Sequence, residues 1–336
     1  MDTNQIRTVS RPACPLCGNM GKLLHSLKDR MFGIPGNWPF RLCNNVDCGA
    51  GWLDPAPLEA DIGLLYKTYN THRHENSQQA FLAELRSWLY RGYIAATYLP
   101  STILGLSEAR REILHMFLGD LPPGRVLDVG CGNGGFLHRM QQLGWSATGV
   151  DFDPKAIENA QTKYGQALTL LNTDLSKAHF PDNSFDVVTM SHVIEHVPDP
   201  VALLIEARRV LKPGGRLVVT TPNIQSFGHQ RFQDCWWGLD APRHLQIFTL
   251  AALKQCAFKA SFAVVNVTSS AANADTFMGG SFGFLAAKKS DSSGSGSRVE
   301  FNALRGIRSL LLQYREARLL RRDPNCGEEA VLICQK

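Results

Sequence analysis

From about residue 120 onward, short apolar runs alternate with longer stretches whose apolar residues recur at helical spacing. The LPPG turn at 121–124 opens this region. The pattern predicts a strand ending at Val129, a helix from Gly134, a strand to Val150 and a helix from Pro154. A strand near Leu168–Leu171, a strand to Thr189, a helix near Pro200–Leu211 and a strand to Thr220 follow. Regular alternation of this kind predicts a parallel sheet with helices on both faces. Farther on, TLAALKQCAFKASFAVVNV reads as helix then strand, and EEAVLICQK as a final strand. The stretch between them, about 270–325, is an insertion containing SSGSGS at 292–297, a flexible-linker composition. Ahead of the alternating region, WLDPAPLEADIGLLYKTYNTH predicts a proline-initiated helix carrying Tyr66 and Tyr69 on neighbouring turns. Residues from about Ser77 to Leu118 read as one or two amphipathic helices broken near Pro100.

Composition narrows the class only modestly. A chain of 336 residues can bury a full core, and 44% hydrophobic with 19% charged residues describes an ordinary globular protein. The net charge of +5 comes with no basic run interleaved with aromatics, so no nucleic-acid surface is expected. The N-terminal stretch lacks the apolar core of a signal peptide, and no apolar run approaches the ~20 residues of a membrane span. A cytoplasmic location is expected.

Nine cysteines in such a setting do not suggest disulfides. Four stand in pairs, Cys14 with Cys17 and Cys43 with Cys48, and each pair is followed by glycine. Two such knuckles can offer four thiolates to one closed tetrahedral zinc ion, the structural type. The second pair has four intervening residues where two is the tighter pattern; a relic site without metal is the competing reading. Cys131, Cys235, Cys256, Cys326 and Cys334 show no such pairing and read as small core residues.

The chemistry of the alternating region is concentrated in VLDVGCGNGGFL, from Val126 to Leu137. A buried strand ends in an acid and is followed by a glycine-rich turn at which a ligand can lie directly against backbone. Gly130, Gly132 and Gly135 satisfy the dinucleotide pattern G-x-G-x-x-G, with Asp151 about 20 residues on. Asp128, just before the turn, argues otherwise: a carboxylate there repels a pyrophosphate but pairs with a cationic amino group. The ligand so described carries an ammonium and a ribose.

This segment resembles the first motif of class I S-adenosylmethionine (SAM)-dependent methyltransferases. Further landmarks follow in order: GVDFDP with Asp151, NTDL with Asp174 and Leu175, FDVVTMSHVIEHVPDP, and VLKPGGRLVVTTPN. The resemblance is close over about 120–223. It implies a Rossmann-like α/β sheet of seven strands whose last strand is antiparallel. It also implies SAM held by Asp128, Gly130 and Gly132 at its amino-acid part, by Asp151 at the ribose, and by Asp174 and Leu175 at the adenine. Phe152 is placed against the adenine or in the core, Asp153 at a helix cap, and His192 near the cofactor. The expected organisation is a zinc-binding module over 1–60, a helical lid or linker over 61–118, and a methyltransferase domain over 119–336.

Within this region His192-Val-Ile-Glu-His196 matches an inverted zinc-protease signature, H-x-x-E-H. That chemistry needs both histidines on one uninterrupted helix, whereas this segment follows a buried strand and meets Pro198 and Pro200. Glu195 and His196 are therefore expected to organise the loop. The acceptor side is expected in WWGLDAPRHLQIFT, 236–249, which also resembles the corresponding segment of zinc-containing sugar C-methyltransferases. His244 matches their base, while Arg243 replaces their glutamate and suggests an anionic acceptor. The alternatives for these two residues are substrate contact without proton transfer, or simple tethering of the loop. His229 is the reserve base, and Tyr66, Tyr69, His72 and His74 could cover the acceptor.

The expected activity is methyl transfer to a small molecule, with a sugar or nucleotide sugar first and a phenolic, quinone-like or lipid-linked oxygen acceptor as the rival. A SAM-binding or zinc-mediated interaction protein without turnover is the reading from a different class. Residues 298–322 carry seven arginines against two glutamates, with Phe301, Leu304, Ile307, Leu311 and Tyr314 at helical spacing. Such a helix either packs on its own domain or lies on an anionic membrane surface.

Overall fold

The computed structural model describes residues 6–66, 102, 105–289 and 303–336. Tyr69, His72, His74, the stretch from Ser77 to Pro100 and the SSGSGS linker lie outside the described residues.

The strands, in chain order, are β1 (Thr8–Val9), β2 (Gly21–Leu27), β3 (Trp38–Cys43), β4 (Gly51–Leu53), β5 (Ala56–Pro57), β6 (Arg125–Val129) and β7 (Ser146–Asp151). They continue as β8 (Thr169–Asn172), β9 (Phe185–Ser191), β10 (Leu211–Pro222), β11 (Gln246–Ile247), β12 (Ala263–Ser270) and β13 (Glu329–Gln335). The α-helices are α1 (Leu106–Leu114), α2 (Gly135–Gln142), α3 (Pro154–Tyr164), α4 (Pro200–Val210), α5 (Phe227–Phe232), α6 (Leu250–Lys259), α7 (Ala274–Lys289) and α8 (Ala303–Leu320).

Seven strands form one sheet in the order β12-β13-β10-β9-β6-β7-β8. The five from β10 to β8 are mutually parallel, and β13 runs antiparallel between β10 and β12. Val126, Leu127, Val187, Val188, Val218 and Val219 on its central strands are wholly buried. Each such side chain contributes about 1.5–3 kcal/mol, so unbroken apolar runs favour strands covered on both faces. The order reverses between β6 and β9, and there the carboxyl ends of parallel strands leave a crevice for ligands.

Local chemistry sets the element ends on this edge. Asp153 caps α3 by accepting from the Lys155 amide, with Pro154 at the first helical position. Asp199 caps α4 in the same way through the Ala202 amide, ahead of Pro200. The predicted helix at Pro57–Tyr66 is a 3-10 turn over Glu59–Tyr66, with Tyr66 buried.

A second sheet has the order β11-β4-β3-β2. Its first strand belongs to the segment after β10, so the N-terminal region and the acceptor segment share one hydrogen-bonded sheet. The cysteine knuckles also sit on the large domain: Thr249, which caps α6, donates its hydroxyl to the Cys48 carbonyl at 2.5 Å. Lys259 donates to the Leu16 carbonyl. Helix α8 packs against α7 and buries Ser309, Gln313, Glu316 and Ala317, while Ile307 and Leu311 face outward. No helix among the described residues is long and apolar enough to cross a membrane.

Candidate active site

The turn after β6 is built as its glycines suggest. Gly130, Gly132 and Gly134 all have positive φ (72°, 50° and 71°), a region that side chains other than glycine enter at a cost. A Cβ on Gly130 would stand 2.4 Å from the Val193 methyl, whereas one on Gly132 would point into open space. The turn is thus closed by the protein on one side and accessible on the other.

Two carboxylates flank it. Asp128 is almost fully buried and accepts from the Thr189 hydroxyl at 2.7 Å. Burial raises its pKa to about 7, outweighing the Thr189 hydrogen bond and the more distant Arg139. Asp151 accepts from the Gly132 amide at 2.8 Å and the Asp153 amide at 2.9 Å, which fixes its position against the turn. Burial raises its pKa as well. A cavity of about 630 Å³ begins beside these groups, lined among others by Asp128, Phe136, Arg139, Ser191, Arg110 and Asn273.

On the adenine side, Asp174 pairs one oxygen with Lys177 at 2.6 Å and leaves Oδ1 buried without a partner. An orphaned buried acceptor is costly unless a ligand donor completes it, and an adenine amino group is such a donor. Leu175 is packed into the core, so its side chain is not an adenine contact; what it can offer is its backbone. Phe152 is half exposed beside Asp151, edge-on to Tyr66 with ring centroids 5.0 Å apart. The glycine cradle, the caged carboxylates and the orphaned oxygen all fit a bound SAM.

His192 is not free to bind a ligand through its nitrogens. Nδ1 meets Glu195 at 3.2 Å and Nε2 meets Glu329 at 2.8 Å, both carboxylates being buried. Burial alone would lower its pKa, but the two glutamates outweigh that and raise it to about 10. It is an imidazolium that neutralises buried acids.

Arg243 requires a larger correction. Its guanidinium is wholly buried and donates to both oxygens of Asp29, each at 2.9 Å, and to both oxygens of Asp240. The group also lies over the Phe32 ring, 4.6 Å from its centroid. The anion that Arg243 recognises is the chain's own Asp29, so no acceptor phosphate or carboxylate reaches it. His229 is likewise withdrawn: Nδ1 donates to the Ile224 carbonyl at 2.6 Å and Nε2 faces the His25 Nε2 at 3.0 Å. Burial lowers its pKa to about 4. It pairs with the N-terminal sheet and does not join His244.

His244 has a different neighbour. Its Nδ1 donates to the Gly238 carbonyl at 2.7 Å, which leaves Nε2 as the nitrogen that carries the lone pair. The His196 ring lies 4.6 Å away, nearly perpendicular. His196 holds its Nδ1 against the Arg243 carbonyl at 3.1 Å and the Tyr66 hydroxyl at 2.9 Å. Burial and the neighbouring His244 lower the pKa of His196 to about 4. Tyr66 thus links Phe152 on the cofactor side to the histidine pair. The sequence singled out His244 and Tyr66 but assigned His196 to loop organisation; only its proximity to His244 changes that.

The four cysteines converge. One ligating atom from each of Cys14, Cys17, Cys43 and Cys48 lies within 4.8 Å of the others. The Cys14–Cys48 and Cys17–Cys43 sulfur distances are 3.8 and 3.4 Å. Four sulfurs about 2.3 Å from one zinc ion stand roughly 3.8 Å apart, so the donor set fits that metal.

Residues 105–267 match the family described as Methyltransferase domain. The matched stretch spans the glycine turn and the five parallel strands of the large sheet. Among curated relatives, it is 37% identical over 108 residues to the ubiquinone biosynthesis O-methyltransferase of Xanthomonas oryzae pv. oryzae, covering 31% of this chain and 45% of that one. The protein of the same name from Xanthomonas euvesicatoria pv. vesicatoria is 33% identical over 162 residues, covering 47% and 64%. The chain therefore spans less than two thirds of the length of these relatives. Among solved structures it is similar to phosphoethanolamine N-methyltransferase 2 of Haemonchus contortus in complex with S-adenosyl-L-methionine. That match has 20% identity, covers 68% of this chain and 52% of the other, and has a TM-score of 0.46.

Proposed function

We propose that this protein transfers a methyl group from SAM to an oxygen of a small hydroxyl-bearing acceptor. The observation that carries the reading is the placement of buried Asp128 and Asp151 around an open glycine turn, with Asp128 also lining the 630 Å³ cavity. When bound, SAM supplies an activated methyl group whose displacement needs chiefly alignment of donor and acceptor. Asp128 would hold the donor's ammonium, Asp151 its ribose hydroxyls, and Asp174 Oδ1 its adenine amino group. The proton of a hydroxyl acceptor has the Nε2 lone pairs of His244 and His196 to go to.

Support for an oxygen acceptor over a sugar carbon comes from two sides. Relatives over the matched region are named for O-methylation. Arg243, which stands where the C-methylating pattern has glutamate, is committed to Asp29 and Asp240. A phenolic or quinone-like ring is thus favoured over a nucleotide sugar. The four cysteines hold a structural zinc in this reading, since four thiolates leave no open position.

Calorimetry with S-adenosylhomocysteine (SAH) tests the cofactor assignment. Asp151→Ala should weaken binding at least tenfold; an unchanged affinity would remove the ribose role. A binding protein without turnover is distinguished by His244→Ala, which should abolish methylation of a phenolic acceptor while SAH still binds.

A further inference from the structure

We propose that Glu195, His196 and His244 form a binding site for one divalent metal ion, separate from the four-cysteine knuckles. The ion would be of the borderline class that accepts imidazole and carboxylate together, such as zinc, cobalt or manganese.

The first observation is convergence. One ligating atom of each residue lies within 4.8 Å of the other two, although His244 is remote in sequence from the Glu195-His196 pair. Second, both imidazoles are set in the tautomer that metal binding requires. A carbonyl oxygen can only accept, so the Nδ1 atoms facing the Arg243 and Gly238 carbonyls carry the protons, that of His196 being shared with the Tyr66 hydroxyl oxygen. The Nε2 lone pairs are left to a ligand, and such outer hydrogen bonds are how proteins orient metal-binding histidines. Third, Glu195 is completely buried and held by two partners. Thr221 donates to one oxygen at 2.9 Å and His192 holds the other, so the carboxylate is fixed in place with lone pairs to spare.

The loop carrying these groups is stitched to the acceptor segment. The amides of Leu245 and Gln246 both donate to the Glu195 carbonyl, at 2.9 and 3.3 Å. The Gln246 side chain bridges the Ile194 and Val197 carbonyls. The three candidate ligands are therefore held by one continuous hydrogen-bonded unit.

This set differs from the H-x-x-E-H reading in a decisive way. His192 is turned onto Glu195 and Glu329 and contributes no lone pair, and His244 takes its place from another segment. Three protein ligands leave positions open for oxygen donors, the catalytic pattern and not the closed structural one. An acceptor with adjacent hydroxyl or carbonyl oxygens, such as a catechol, could occupy them. With the ion bound, the His196 and His244 lone pairs no longer serve as bases, and the hydroxyl proton would pass to solvent as the oxygen binds the ion. That use rests on the methyl-transfer reading; the binding site itself does not.

The test is a cobalt(II) titration of the full chain with zinc already filling the cysteine site, in the absence of methyl donor and acceptor. The expected result is one cobalt ion per chain with visible d–d bands and no thiolate-to-cobalt charge transfer. Affinity should fall at least tenfold in His196→Ala and His244→Ala and stay within twofold in Thr162→Ala, which lies on α3. SAH binding reports folding of each variant; if an alanine variant loses it, His244→Gln carries the comparison. No cobalt binding beyond the cysteine site, or binding indifferent to the replacement of His244, overturns the proposal. Failure here leaves SAH binding and methyl transfer intact as separate readouts.

Discussion

Arg243 and Asp29, 214 positions apart, form a bidentate ion pair with both side chains fully buried. Asp240 closes the same guanidinium from the other side. The pair fastens the N-terminal sheet to the segment that carries His244, and β11 pairing with β4 reinforces the join. The segment that carries His244 is thus held in part by the N-terminal region, which is a structural reason for the cysteine module to be part of this chain.

Removing one partner of a buried ion pair leaves the others charged and unsolvated, typically a loss of about 3–5 kcal/mol. Arg243→Met should destabilise the chain by that order in urea unfolding. Arg243→Lys should recover only part of it, because an ammonium cannot match the two-fold geometry. A loss below about 1 kcal/mol in the methionine variant would contradict the structural role assigned here.

The buried Asp128 gives SAH binding a pH dependence. Its carboxyl has a pKa raised to about 7, so below that pH the group is protonated in the free protein. Pairing with the ligand's ammonium requires the carboxylate, and binding must then expel a proton. SAH affinity should fall about tenfold per pH unit below about pH 7 and level off above it. Calorimetry in two buffers of different ionisation enthalpy should register the released proton near pH 6. An Asp128→Asn variant should bind weakly with a flat profile; a flat wild-type profile would contradict the pairing.

Metal analysis should find one thiolate-bound zinc ion per chain, and Cys14→Ser should lose that ion. Because the knuckles pack against α6 through Thr249 and Lys259, their loss should also lower the melting temperature of the large domain. A variant that loses zinc with an unchanged melting curve would show the knuckles to be mechanically independent.

Glu316 and Glu328 are both wholly buried, and one oxygen of each lacks a hydrogen-bond partner. Burial and mutual repulsion hold Glu316 well above the ordinary carboxyl range, and burial raises Glu328 to about 8. Acids protonated when folded but ionised when unfolded favour unfolding as pH rises above about 4.5. Glu316→Gln removes one such group. It should stabilise the chain by about 1–2 kcal/mol at pH 8 relative to pH 5. Denaturant midpoints for both proteins at the two pH values measure this difference; an equal effect at both would refute the titration.

Much of the sheet was legible because its signals are local. An apolar run buried on both faces, a glycine turn with positive φ, and Asp-Pro helix starts each follow from a few neighbouring residues. The acids at strand ends were legible for the same reason, since Asp128 and Asp151 directly terminate β6 and β7 or lie one residue from the end. The four cysteines declared themselves by spacing, and their sulfurs do converge.

What the sequence could not provide was the partner of each charged or aromatic side chain. Arg243 looked like a substrate arginine because nothing nearby predicted Asp29 as its anion. His192, His196, His229 and His244 are chemically alike in one dimension. Tertiary contacts separate them: His192 becomes an imidazolium between glutamates, His229 is tied to His25, and His196 and His244 pack edge-on against each other. A side chain's protonation and reach depend on desolvation and on charges brought within a few ångströms, and those distances exist only once the chain has folded.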